Sequence, residues 1–315
     1  KNSVSSDWQS RARELLDEQK SNRASVGLPQ DTNLTPMQTA ALYDPRTAER
    51  MLASDNELDL HSACALGLYE DVGRLCSTEA LALEADWLPP IGFALLRSQR
   101  DSLQALLDHG DDPNRLLRRI GFFVWEMRVL EEAKWRPIHM AAVHGYDPAA
   151  STLIGVLADY GADLEAPSCL GDRAIHLACT YGWDDVIRTL LQLGVDVNST
   201  TTQTSATILA QSSPENTQPD GSFTPMMVAA RESKSKTIEL LLQQGANVHA
   251  TSVTGKTALH MAADGWWQED VACVDVLLDA GADAAALDEH GKTAADYART
   301  RNYHGIVERL ARAST

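Results

Sequence analysis

The feature that most constrains this chain is a six-residue tract that returns at a nearly regular interval. Its copies read Pro-Ile-His-Met-Ala-Ala at 137–142, Ala-Ile-His-Leu-Ala-Cys at 174–179, Pro-Met-Met-Val-Ala-Ala at 225–230 and Ala-Leu-His-Met-Ala-Ala at 258–263, with a fainter copy at 90–95. A leucine-rich stretch ended by glycine closes each copy, so that Gly110, Gly194 and Gly245 each lie 20 residues after their tract begins. Self-similarity at a period of about 33 residues predicts a solenoid, whose units must stack to bury their apolar faces.

Each part of the pattern has a physical role in a helix pair. Proline suits the first helical position, where its missing N–H leaves no hydrogen bond unmade. Paired alanines let neighbouring inner helices approach closely, and the leucines of the outer helix supply the core. The closing glycine adopts the left-handed conformation that ends the outer helix and starts a turn, here called a finger.

Both halves of this pattern resemble the ankyrin repeat. The resemblance implies an all-α ankyrin-repeat solenoid of stacked helix pairs with β-turn fingers. It also implies that the repeated His139, His176 and His260 bond backbone groups of the adjoining turn, which favours a structural role over metal binding or acid–base work.

The repeat register predicts how the chain is organised. Residues 1–34 are expected to form a polar leader with a helix and a linker, and residues 35–315 the array. Within the array we expect degenerate N-terminal units at 35–86, a C-terminal cap at 292–315, an insertion at 116–136 and a loop insertion at 199–222. The first insertion carries Phe122, Phe123 and Trp125, which either contact a partner or pack on the neighbouring repeats.

Composition narrows the classes of partner. A formal net charge of −17 argues against nucleic acid or an anionic membrane as the main partner and leaves a protein partner as the expectation. The 5 cysteines are odd in number and form no Cys-x-x-Cys pair, which favours a reducing, cytoplasmic or nuclear compartment. No apolar run reaches the length of a membrane span, and the start at Lys1 leaves a removed leader open.

The chain contains no motif that identifies an enzyme, and the sequence predicts neither a metal site nor a cofactor. Gly-Lys-Thr at 255–257 and at 291–293 resembles the end of a phosphate-binding loop, but the required first glycine is missing and no strand precedes it. Both tracts lie where a finger meets a helix, so a structural role for them is expected.

In ankyrin-like proteins the fingers and inner helices form the binding face, and the two residues after Ala-Ala point into it. Carried over by register, this resemblance predicts a surface with an apolar centre and a polar rim. Its predicted partner-binding residues are Arg97, Val143, His144, Leu170, Asp172, Thr180, Tyr181, Arg231, Glu232, Val253, Lys256 and Asp264.

Two functional hypotheses follow. The first is a monomeric, non-catalytic scaffold that recognises a partner protein through this face. The alternative is an unusual isomerase, cyclase or hydrolase of a small molecule, with a pocket between the face and the insertion at 116–136. Its acid–base candidates are His144, Asp172, Arg173 and Tyr181. Arg136 and Arg173 replace the usual capping threonine and either grip an anion together or are solvated substitutions.

Overall fold

A computed structural model of the chain describes residues 34–53, 57–77, 80–81, 88–117, 135–168, 171–202, 221–265 and 269–313. Within these ranges the regular structure is sixteen α-helices and no strand, apart from one isolated β-bridge. The predicted all-α solenoid class is therefore confirmed. The chain divides into two compact units, residues 1–163 and residues 164–315.

The first unit is built of four successive helix pairs. Helices α1, α3, α5 and α7 pack on one another in that order, and α4, α6 and α8 pack on one another behind them. Each helix pair therefore packs on the next pair along the chain, as in a solenoid. The helices are α1 (Pro36–Tyr43), α2 (Pro45–Leu52), α3 (Leu60–Leu66), α4 (Tyr69–Leu75), α5 (Pro90–Leu96), α6 (Arg100–Asp108), α7 (Pro137–Val143) and α8 (Ala150–Asp159).

The second unit repeats this plan with four more pairs. The inner helices α9, α11, α13 and α15 pack in sequence, and the outer helices α12, α14 and α16 do the same. The helices are α9 (Ala174–Tyr181), α10 (Asp184–Gln192), α11 (Pro225–Arg231), α12 (Ser235–Gln243), α13 (Ala258–Ala263), α14 (Val271–Asp279), α15 (Ala294–Arg301) and α16 (His304–Ala313). The surface made by the C-terminal ends of its inner helices and by the fingers before them is called the inner face of the second unit.

Helix starts follow from the residues at the repeat opening. Proline occupies the first turn of α1, α2, α5, α7 and α11. The Thr35 hydroxyl accepts the N–H of Gln38 at 3.2 Å, and the Gln38 side chain accepts the N–H of Thr35 at 3.0 Å. Thr224 accepts the N–H of Met227 at 3.3 Å in the same way. These side chains satisfy backbone donors that have no partner within the helix.

The core has the composition that the pattern predicts. The inner-helix alanines Ala178, Ala229 and Ala263 are fully buried, as are the outer-helix leucines Leu190, Leu241 and Leu277. Cys64 and Cys179 occupy alanine positions and are fully buried, and burial raises the pKa of both thiols. None of the helices in the described ranges has the length and apolar character needed to cross a membrane.

The residues at the two ends of the first insertion, Leu117 and Trp135, lie next to each other. Leu117 donates its N–H to the Trp135 carbonyl at 2.7 Å, and both side chains are buried. Several predictions fall outside the described residues: the leader at 1–33, residues 118–134 with Phe122, Phe123 and Trp125, residues 169–170, the loop at 203–220 and residues 266–268.

Candidate partner-binding surface

In the second unit, His176 and His260 each join an inner helix to the finger that follows it. The Nδ1 atom of His176 accepts the N–H of Arg173 at 3.3 Å, and its Nε2 lies 2.9 Å from the carbonyl oxygen of Phe223. His260 has the same arrangement, with its Nε2 3.1 Å from the carbonyl of Lys292. Because Nδ1 is an acceptor, the proton is on Nε2, which donates to the finger. The equivalent Nδ1 contacts are Arg136 to His139 at 3.0 Å and Thr257 to His260 at 3.1 Å.

His176 and His260 are neutral structural groups. Burial lowers the pKa of His176 to about 4 and also lowers that of His260, because a charged ring loses its hydration there. The bonding to the adjoining turn that the family resemblance implies is therefore confirmed for His176 and His260. Across the described residues, no group of three or more histidine, cysteine or acidic side chains could hold a metal ion.

Arg173 is held within the repeat array. Its guanidinium donates to the backbone carbonyl of Glu165, to the Glu165 carboxylate at 3.0 Å and to the Thr200 carbonyl at 3.1 Å. Glu165 in turn accepts the N–H of Asp196 at 2.9 Å, which links two successive turns. Three acceptors hold this arginine in place, so its position serves the packing of neighbouring repeats.

The middle of the inner face in the second unit carries a cluster of charged and aromatic side chains. Arg231 donates to Glu232 at 3.1 Å and lies 5.6 Å from the centre of the Phe223 ring. The side chains of Arg231 and Glu232 are only 18% and 13% exposed. Burial raises the pKa of Asp172 to about 6, although the nearby positive charge of Arg231 opposes the shift.

Tyr181 lies at the edge of this cluster. Its ring stacks on Trp183 with centroids 6.1 Å apart. Burial raises the pKa of the Tyr181 hydroxyl, and the negative charge of Glu232 adds to the shift. The phenol is therefore neutral near pH 7 and presents a half-buried amphipathic ring.

Farther along the inner face, Asp264 is shared by two cations. It accepts Arg301 at 2.9 Å and lies 3.8 Å from the Nζ of Lys256. Lys256 also lies 4.6 Å from the centre of the Tyr297 ring, and Lys292 lies 5.5 Å from the same ring. The two Gly-Lys-Thr tracts thus place their lysines on one aromatic side chain of the last inner helix.

Two further predicted residues have simpler positions. The Thr180 hydroxyl donates to the backbone carbonyl of His176 at 3.1 Å, within its own helix. Val253 is 48% exposed at the tip of its finger, where its side chain is open to a partner. Leu170 lies outside the described residues.

A family model described as ankyrin repeats matches the chain three times, at residues 98–201, 203–288 and 226–315. The chain belongs to the ankyrin-repeat family. Ankyrin repeats are generally protein–protein interaction scaffolds. The match covers most of the second half of the chain together with the α6–α8 region of the first unit.

Two curated relatives resemble a short part of this ankyrin array. Tyrosine-protein kinase HTK16 of Hydra vulgaris is 40% identical over 76 residues, which is 23% of this chain and 10% of the kinase. Zinc finger CCCH domain-containing protein 50 of Oryza sativa subsp. japonica is 42% identical over 76 residues, or 23% of this chain and 12% of that protein. The similarity therefore spans about a tenth of either relative.

In the first unit of this ankyrin protein, the predicted site residues lie deeper than register alone indicates. Val143 and His144 are 6% and 4% exposed, so neither offers its side chain to a partner in this structure. Burial lowers the pKa of His144, which keeps the ring neutral. Arg97 is half-buried at the end of α5.

Sequence reasoning missed three residues of the inner face, Lys292, Tyr297 and Arg301. All three lie in the segment interpreted as a C-terminal cap, where no binding residues were expected. Register could have found two of them. Lys292 is placed like Lys256 before a capping threonine, and Arg301 follows its Ala-Arg pair as Glu232 follows Ala-Ala. The ankyrin surface of the second unit therefore extends to its last inner helix.

Proposed function

We propose that this chain is a non-catalytic recognition module that binds a partner protein along the inner face of its second unit. The observation that carries the proposal is a row of half-buried side chains, most of which are already held by neighbouring groups. The row consists of Asp172, Tyr181, Arg231, Glu232, Lys256 and Asp264.

Preorganisation is what makes this row suitable for recognition. Arg231 is fixed by Glu232 and by the Phe223 ring, and Asp264 is fixed by two cations. Side chains that are ordered before association lose less conformational entropy when a partner binds. Tyrosine and arginine are also the residue types most often found at energetic hot spots of protein interfaces.

The enzymatic alternative is less well supported by the contacts of its candidate residues. Within the second unit, Arg173 holds Glu165, and Tyr181 stacks on Trp183. Asp172 is influenced by Arg231 instead. These three groups therefore have different partners, whereas acid–base catalysis needs groups that converge on one reacting atom.

Site-specific photo-crosslinking tests the proposed function. The variant Tyr181→p-benzoylphenylalanine places the crosslinker on the inner face, and Arg188→p-benzoylphenylalanine places it at an exposed position of the outer helix α10. In lysate of the source organism, we expect a discrete protein adduct from position 181 that is absent from position 188. The adduct should weaken when unlabelled wild-type chain competes. Equal adducts at both positions, or none at 181, would contradict the proposal.

A further inference from the structure

The first inner helix, α1, is buried on every side. Residues 37–42 are six successive positions of this helix, and each is between 0 and 7% exposed. Because an α-helix completes one turn in about 3.6 residues, six successive buried residues cover its whole circumference. The polar Gln38 and Thr39 are buried together with Ala40 and Ala41, so no face of α1 is left to solvent.

The last inner helix, α15, shows how different an end of the array can be. Of its eight residues, only Ala294 and Ala298 are buried. An interior inner helix such as α5 is instead buried at each of residues 90–95. The burial of α1 is therefore that of an interior helix, although α1 belongs to the first helix pair of the described residues.

The described neighbours of α1 account for only part of this burial. The helix packs closely on its pair partner α2 and on α3 of the next pair, and among the described helices no third one packs on it as closely. The Gln38 side chain also donates to the Asp59 carboxylate at the start of α3, at 3.2 Å. The side of α1 that faces away from α3, here called the end face, is therefore buried by residues outside the described helices.

The chain before α1 contains a segment with a suitable pattern to cover the end face. In residues 8–20, apolar side chains recur at the spacing of one helical face, at Trp8, Ala12, Leu15 and Leu16. The opposite side of such a helix is polar and carries Ser10, Arg13 and Asp17. A helix over these 13 residues would be about 20 Å long, and α1, with 8 residues, is about 12 Å long.

This segment is tethered within reach of α1. The described chain starts at Leu34, which is 7% exposed and lies two residues before α1. The 13 residues 21–33 join Leu34 to the segment and, when extended, span about 45 Å. Such a tether gives an effective concentration of the order of millimolar, which a second copy of the chain does not reach in dilute solution. The chain's own segment is therefore favoured over a second copy.

From these observations we infer that residues 8–20 form an amphipathic helix that packs on the end face of α1 and caps the array. Its apolar side supplies the contacts with α1, and its polar side faces solvent. Terminal repeats need a polar outer face for solubility, and at the other end the exposed Arg299 and Arg301 of the last inner helix already contribute one. This contact belongs to the first unit and is independent of the partner proposed for the second.

Hydrogen–deuterium exchange of the full-length chain tests the contact. Leu15→Ser/Leu16→Ser removes the apolar side, and the control Arg13→Ser/Asp17→Ser makes two substitutions by the same residue on the polar side. Neither variant changes the net charge. We expect the amides of α1 to exchange roughly ten-fold or more faster in the first variant and less than about two-fold faster in the control. The amides of α13 in the second unit should keep the wild-type rate in both.

Photo-crosslinking locates the segment while its apolar side chains are kept. Gln19→p-benzoylphenylalanine places the crosslinker between Leu15 and Leu16 on the helical face, and Ser10→p-benzoylphenylalanine places it on the opposite side. Mass spectrometry of the digested monomer should show a crosslink from position 19 to residues 34–43 that is absent from position 10.

The inference is wrong if position 19 gives no crosslink to α1, if position 10 gives the same one, or if α1 keeps its wild-type exchange in the Leu15/Leu16 variant. A crosslink to α1 that appears only in a covalent dimer would assign the end face to a second copy and also overturn the inference. If the exchange of α13 accelerates as well, that variant has unfolded as a whole, and the crosslink from position 19 alone decides.

Discussion

The Nε2 atom of His176 lies 2.9 Å from the carbonyl oxygen of Phe223, which joins the first inner helix of the second unit to the finger of the next repeat. The same ring accepts the N–H of Arg173 through Nδ1, so one neutral side chain satisfies two backbone groups. Such a bond works only while the ring is uncharged. The stability of the second unit is therefore tied to the protonation of its histidines.

His176→Leu should destabilise the chain by roughly 2–4 kcal/mol at pH 7, because two buried backbone groups lose their partner. In the wild type, burial lowers the pKa of the His176 ring to about 4. The unfolded chain therefore binds the proton first as the pH falls below about 6.5, and the free energy of unfolding decreases from there down to about pH 4. Between pH 7 and 5 the wild type should therefore lose roughly 2 kcal/mol more than the variant. Urea unfolding at both pH values checks this, with the exposed His249→Leu as control. A gap between wild type and variant that stays constant with pH would contradict the assignment.

The contribution of Asp172 to the free energy of unfolding should change with pH in the opposite direction to that of His176. Its pKa is raised to about 6, so the folded chain holds the proton more tightly than the unfolded chain, and lowering the pH from about 6 to about 4 adds stability. Asp172→Asn removes the buried charge and should stabilise the chain at pH 7 by roughly 1 kcal/mol. This advantage should shrink through pH 6 and vanish near pH 4. Urea titrations alongside the exposed Asp185→Asn measure it, and a loss of stability at pH 7 would show that the attraction to Arg231 dominates.

The histidine contacts could be predicted because the ankyrin resemblance implies them at a fixed register. His176 lies three residues after Arg173, where its Nδ1 accepts the Arg173 N–H, and its Nε2 contacts the Phe223 carbonyl of the next repeat. The same holds for the glycines that end the outer helices, since their positive φ is a property of the turn itself. Structural features that depend on one repeat alone can therefore be predicted from the sequence of that repeat.

The binding surface could be predicted only in part, because it depends on what covers each position. Register placed His144 and Tyr181 in equivalent places, yet His144 is 4% exposed and Tyr181 is half-buried. Contacts between repeats, such as Lys256 with Tyr297, join residues far apart in the chain. No periodicity in one repeat encodes such a pair.

Ser233 stands where the first repeat of the second unit uses glycine. It has a φ of 56° in the turn between α11 and α12, and Gly182 takes the equivalent turn between α9 and α10 with a φ of 75°. A side chain in the left-handed region costs about 1 kcal/mol, so Ser233→Gly should stabilise the chain by roughly 0.5–1 kcal/mol. The reciprocal Gly182→Ser should destabilise it by a similar amount. Thermal unfolding of both variants checks the pair, and the same sign for both would refute the explanation.

Arg173→Lys distinguishes a structural role from an anion-binding one. Lysine keeps the charge but cannot reach the Glu165 carboxylate, the Glu165 carbonyl and the Thr200 carbonyl together, since it lacks the planar fork of a guanidinium. We expect a loss of roughly 1–2 kcal/mol in the free energy of unfolding, with an unchanged yield of the partner adduct at position 181. The exposed Arg188→Lys should change neither quantity. If Arg173→Lys instead left stability intact and abolished binding, Arg173 would belong to the binding surface, because its hydrogen bonds in the array would then contribute nothing to folding.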